Sequence, residues 1–201
     1  MRILVSISIL VLAFLIPLVA HATTRVVPTN YATIQAGINA SVTNDTVLVL
    51  PGPYSGAGNW DLTISGKVIT ILGQGGSESV VIDCQDAIVH DGVASITSGT
   101  VLKGLSITNA AVGIDCGSAS PHVDSCHFTN SSIAAVRFGP NGFPVFSGNV
   151  YFNNLYNIAQ SGGTITVSGT WNKDGEEPYV VLTDLVVSDF NNQNRLLTIP
   201  A

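Results

Sequence analysis

Three stretches decide the fold: "GLSITNAAVGIDC" (104–116), "SCHFTNSSIAAVRF" (125–138) and "NVYFNNLYNIAQ" (149–160). Aligned, they place Leu105, Cys126 and Val150 in one apolar column and Ile107, Phe128 and Phe152 in the next inward column. Asn109, Asn130 and Asn154 form a third, spaced 21 and 24 residues apart. A period of this length with alternating apolar positions describes one coil of a solenoid. Each coil contributes short strands that pair in parallel with their counterparts one coil on, and stacking alone buries the apolar edge. Asparagine suits the sharp corners because it tolerates left-handed backbone. Its amide can also bond to the same amide one coil away, as in stacked β-structures. A second echo, "SPHVDSC" (120–126) and "FPVFSGN" (143–149), sets Pro at the opening of a short strand.

The texture runs outward in both directions, through "TVLVLPGPY", "VITILGQG" and "SVVIDC" upstream and "TITVSGTW" and "PYVVLTDLVVSD" downstream. Helical periodicity stands out once, over 30–42, where Ile34 and Ile38 lie four apart behind Asn30 as the expected N-cap. A helix there would cover the open end of the first coil, whose strand edges would otherwise be bare. The expected organisation is an N-terminal cap over 23–43, about six β-coils over 44–170, and further strands over 171–201. Those last strands read as a truncated continuation, or as part of a longer chain.

The first 22 residues are set apart. Arg2 supplies a positive start, "ILVSISILVLAFLIPLV" an apolar run, and "AHA" (20–22) the small residues of a cleavage site, so an export signal cut after Ala22 is expected. An uncleaved membrane anchor is the other reading of so long an apolar run. Of 7 Lys and Arg and 13 Asp and Glu, only Arg2 falls in that segment, so the remainder is more acidic than the formal net charge of −6. No basic cluster exists, which argues against nucleic acid or an anionic membrane as partner.

With these residues in view, "VPTNYATIQAGINASVTNDTVLVLPGPYSG" resembles the N-terminal part of secreted right-handed parallel β-helix proteins, the pectin-lyase-like superfamily. "VVIDC" and "LKGLSITNAAVGIDCGSASPHVDSCHFTN" are similar to the repeats that follow it. The resemblance covers roughly residues 25–170. It implies an all-β, right-handed parallel β-helix with an N-terminal capping helix. For activity it implies little, since this fold hosts lyases, hydrolases and adhesins alike.

Polygalacturonase-like members carry Asn-Thr-Asp, Asp-Asp, Gly-His-Gly and Arg-Ile-Lys motifs, and none of the four occurs in this chain. "NDT" (44–46) has another order. Inverting hydrolysis needs two convergent carboxylates, and no adjacent Asp pair supplies them. Pectate-lyase-like members hold calcium on Asp side chains and use Arg as base. The coil register sets Asp115 beneath Arg137, about 4.8 Å away along the axis, which makes this pair the catalytic candidate. A surface ion pair is the plainer reading of it. Asp83, Asp86 and Asp91 are the calcium candidates, and a loose acidic turn is the alternative for them.

Cys116, His122, Cys126 and His127 have spacings unlike a zinc site. Cys126 and His127 face opposite sides of a strand, so they cannot share a metal. Cys116 and Cys126 read as small core residues or, in an exported protein, as a disulfide; Cys84 is left over and expected to be buried. Tyr54, Trp60, Tyr156, Trp171 and Tyr179 are the candidate sugar platforms, or else they cover coil ends and loops. The sequons at Asn39, Asn44 and Asn130 carry no weight without a known source.

The reading that results is a secreted or cell-surface β-helix protein. It acts without catalysis in carbohydrate binding or adhesion, with an extracellular polysaccharide or surface as partner and no cofactor. The alternative is a polysaccharide lyase or hydrolase acting on acidic sugars, with calcium. A purely structural stalk is the third reading.

Overall fold

The computed structural model describes residues 21–175, 177–187 and 196–199. All but the last two residues of the expected export signal therefore lie outside the described residues. The described chain is an all-β parallel solenoid of about seven turns, one more than the repeat count suggests, with very little helix. Every strand pairing in it is parallel.

Three sheets run along the axis, and each of five successive coils contributes one strand to each. The first sheet stacks Thr24–Val27, Thr46–Val49, Thr70–Gly73, Val101–Lys103, His122–Asp124 and Val145–Ser147. The second stacks Gly52–Tyr54, Val80–Asp83, Ser106–Thr108, His127–Thr129 and Val150–Phe152. The third stacks Leu62–Thr63, Val93–Ser95, Val112–Asp115, Ala134–Phe138, Ile158–Gln160 and Tyr179–Val181. Beyond these, Gly163–Ile165 pairs with Leu185–Val187, and Gly169–Thr170 with Leu197–Thr198.

Alternation decides what goes inside. Val47, Val49, Ile71, Leu102, Val123 and Phe146 point inward from the first sheet, and Ile82, Ile107 and Phe128 from the second. Together they form one continuous core closed laterally by Val93, Ile114, Val136 and Ile158 of the third. Two corners of each coil need left-handed backbone. Gly104 (φ 65°), Ser125 (φ 52°) and Gly148 (φ 62°) turn the chain from the first sheet into the second. Asn109 (φ 56°), Asn130 (φ 59°) and Asn153 (φ 56°) turn it from the second into the third.

The last of these corrects the sequence register. His127 pairs with Val150, Phe128 with Tyr151 and Thr129 with Phe152, so Tyr151, not Phe152, continues the inward column of Ile107 and Phe128. Asn153, not Asn154, continues the corner column. Asn130 Nδ2 donates to Asn109 Oδ1 at 3.2 Å, and Asn153 Nδ2 to Asn130 Oδ1 at 2.7 Å. Asn109 in turn donates to Asp83 Oδ1 at 2.9 Å, so a carboxylate begins the ladder. Asn154 serves the chain differently: its Oδ1 accepts from Ser131 N–H and its Nδ2 donates to the Phe128 carbonyl. A slip of one residue exchanges the two faces of a strand, and Tyr151 is accommodated inside because its hydroxyl donates to the buried Asp174 at 3.0 Å.

The helix is shorter than the periodicity predicts, Ile34–Ala40, and its N-cap is Thr33 in place of Asn30. Thr33 Oγ1 accepts from Ala36 N–H at 3.2 Å, while the N–H of Ile34 reaches Asn59 Oδ1 at 3.1 Å. Asn30 instead lies in a turn, its N–H on the Val26 carbonyl. The helix buries Ile34 and Ile38 against the first two strands of the first sheet and the first strand of the third. Gly37 permits that approach, since a Cβ there would sit 3.0 Å from a Val27 methyl. Lys67 Nζ closes the far end by donating to the Ile38 and Ser41 carbonyls at 2.8 and 2.9 Å. Beside the helix the buried Asp45 accepts from Val42 N–H, Thr23 N–H and the Arg25 guanidinium. Those three donors, the Val42 N–H foremost, hold its carboxyl below the usual carboxylate range despite burial.

Candidate functional site

The outer face of the third sheet carries the charged side chains that the sequence brings to attention. Asp115 ends the strand Val112–Asp115 and Arg137 lies in the strand stacked on it, in register. Arg137 Nη2 donates to Asp115 Oδ2 at 2.5 Å, and Asp115 Oδ1 accepts from Gly117 N–H at 3.0 Å. Both carboxylate oxygens are thereby engaged. Asp115 lines a cleft of about 270 Å³ with Ala94, Ser95 and Ile96 of the coil below and the turn from Cys116 to Ala119. Its walls are Ala, Ser and Gly residues together with Ile96, Cys116 and the Asp115 carboxylate, and the turn passes through left-handed Gly117 (φ 51°).

A coil away stands a pair for which the sequence gives no signal. His90 Nδ1 lies 2.8 Å from Asp61 Oδ2, and the other oxygen of Asp61 accepts from Asp91 N–H at 2.8 Å. The His90 imidazole stacks on the Trp60 indole with centroids 4.5 Å apart. Asp61 and His90 are 29 residues apart, separated by a full coil and the long corner 84–92, so no local spacing announces them. Asp91 Oδ1 accepts from Val112 N–H. Burial pushes the Asp91 carboxyl up, and the charges of Asp115 and Asp61 add to this against the Val112 N–H and Arg137.

The three calcium candidates are not brought together. Asp83 holds Gln85 N–H and the Asn ladder, Asp86 holds Ile88 N–H, and Asp91 holds Val112 N–H. Each carboxylate fastens its own piece of backbone. Among the described residues, no group of three or more His, Cys, Asp or Glu side chains converges in a way that could hold a metal ion.

The cysteines lie in the core as free thiols. Cys126 Sγ is 3.6 Å from the Leu102 carbonyl. Burial pushes Cys84 and Cys126 up to about 12 and raises Cys116 as well, so none is a ready nucleophile. His122 is exposed on the first sheet, and His127 is half-buried on the second, 3.6 Å from Glu78.

Of the aromatic candidates, Tyr54 is buried with its hydroxyl on the Leu50 carbonyl. Trp171 is buried edge-on to Phe138. Tyr179 packs against the same pair and bonds to the Asn172 carbonyl. Trp60 is half-buried with one face taken by His90, and Tyr156 is half-buried. Among the described residues, the aromatic ring most open to solvent is Phe152, 69 % exposed, which the sequence register places inside.

Comparison with protein-family models, with curated proteins and with solved structures gives no match. Among the described residues, no helix is long and apolar enough to cross a membrane.

Proposed function

We propose that the chain is an exported or cell-surface β-helix module that binds carbohydrate without cleaving it, serving attachment to a polysaccharide or a surface. Right-handed winding and an end-covering role for the helix belong to the same proposal. The observation that carries it is the state of Asp115: both its oxygens are occupied, by Arg137 and by the Gly117 N–H. A calcium-dependent lyase needs free carboxylates for the ion and an unpaired Arg for the proton. A cleft that sets the Ser95 and Ser118 hydroxyls among small and apolar side chains beside a neutralised ion pair suits a sugar.

A second reading, a lyase or hydrolase of acidic polysaccharide, is favoured by Asp91. It is a half-buried acid whose protonated form is stabilised within electrostatic reach of Asp61, Asp115 and Arg137. The two readings separate in one pair of measurements on the exported chain. Affinity electrophoresis through gels carrying neutral or acidic polysaccharides is expected to show retardation. Incubation with polygalacturonate or alginate and calcium is expected to show no rise in ultraviolet absorbance. A rise abolished in Asp91→Asn would overturn the non-catalytic reading, and no retardation by any polymer would leave only a structural stalk.

A further inference from the structure

The outer face of the second sheet carries a stripe separate from the Asp115 cleft. The strand register aligns Val81, the buried Ser106, His127 and Val150 in one column on the outer side, and Asp83, Thr108, Thr129 and Phe152 in the other. Successive positions lie about 4.8 Å apart, so each column runs about 14 Å along the axis. Thr129 Oγ1 donates to Thr108 Oγ1 at 2.8 Å, which holds the two hydroxyls in line. The Asn109–Asn130–Asn153 ladder borders the same face. At its far end Val150 is 52 %, Phe152 69 % and Leu155 62 % exposed. One exposed apolar residue would be ordinary; Val150 and Phe152, two apart on one strand and so on the same face, mark a contact surface.

Charge narrows the occupant. No Lys or Arg stands in either column, Asp83 begins one of them, and Glu78 lies beside His127. An anionic polymer would meet no Lys or Arg there and two carboxylates. Phe152 offers the apolar, electron-rich face of an aromatic ring, while the Thr and His side chains offer donors and acceptors at a fixed spacing. An uncharged sugar chain presents that same alternation, C–H faces rimmed by hydroxyls.

We propose that this stripe docks an uncharged polysaccharide lying along the solenoid axis, with Phe152 stacked on a sugar ring and Thr108, Thr129 and His127 bonding its hydroxyls. The inference rests on the carbohydrate-binding reading, and adds to it the class of the ligand and the face that takes it.

The test uses the exported chain in affinity electrophoresis with xyloglucan, galactomannan and polygalacturonate, comparing the parent with Phe152→Ala, Thr129→Val and Val145→Ala. Phe152 is exposed, so its variant is expected to keep the parent's circular dichroism and melting temperature. Retardation by a neutral polymer is expected in the parent, weakened about tenfold in Phe152→Ala, less in Thr129→Val, and unchanged in Val145→Ala on the first sheet's outer face. Neutral-polymer binding undiminished in Phe152→Ala would overturn the stripe while leaving carbohydrate binding intact. Stronger retardation by polygalacturonate than by the neutral polymers would overturn the ligand class. No retardation by any polymer would overturn both this inference and the reading beneath it.

Discussion

Asn130 is where the logic of the coil is most concentrated. It sits in left-handed backbone at φ 59°, donates to Asn109 and accepts from Asn153. Asn130→Ala keeps a Cβ in the left-handed region, costing about 1 kcal/mol, and deletes two partly exposed hydrogen bonds worth about 0.5 kcal/mol each. The expected loss is about 2 kcal/mol in urea unfolding, against about half of that for Asn130→Gly, which relieves the backbone. Equal losses in the two variants would show that the corner is not set by backbone conformation. Asn109 and Asn130 are legible in the sequence because their spacing is regular. Asn153 is not, because Asn154 follows it directly and Phe152 looks like a better core residue than Tyr151. What reverses that choice is Asp174, which receives the Tyr151 hydroxyl from 23 residues away.

The helix shows the same division at the scale of an element. Ile34 and Ile38 announce it, and both are buried. Its ends are fixed by residues a coil away, Asn59 at the start and Lys67 at the finish, and local pattern cannot reveal these. Lys67→Met would keep the aliphatic stem and remove the cation from carbonyls that have few other donors. A loss of about 1 kcal/mol is expected, read as a fall of about 2–4 °C in melting temperature. An unchanged melting temperature would mean that the helix end is satisfied without it. The His90–Asp61 pair was equally beyond reach, since it depends on how far the corner 84–92 reaches back along the axis.

In the whole molecule, the strands of each coil pair only with those of its neighbours, and a side-chain bond, Ser132 Oγ to the Ala87 carbonyl, reaches over a coil, so a fault in the middle cuts the strand ladders there. Gly113 is the place to introduce one. A Cβ there would lie 2.4 Å from the Ala135 carbonyl oxygen on the next coil and 2.9 Å from the Phe128 ring. Gly113→Ala is therefore expected to push the third-sheet strands apart and to replace one calorimetric unfolding transition by a broadened or split one at lower temperature. A single transition as sharp as the parent's would show that the coils on either side remain coupled. The solenoid itself was legible because its period is written in apolar residues. The charged face was legible only as far as the register, which correctly stacked Arg137 on Asp115.

The corner between the second and third sheets varies most, running 55–61, 84–92, 109–111, 130–133 and 153–157 in successive coils. The corner between the first and second sheets is confined to 104–105, 125–126 and 148–149 over the same later coils. Where the variable corner is longest, the pairings on either side of it still hold, Asp83 with Thr108 and Val93 with Ile114. Residues can thus be added at this margin with the strand order kept, at the cost of a register shift between Leu62–Thr63 and Val93–Ser95. A change of binding preference in such a chain can arise by lengthening a loop beside a fixed surface, leaving the scaffold's own sequence untouched.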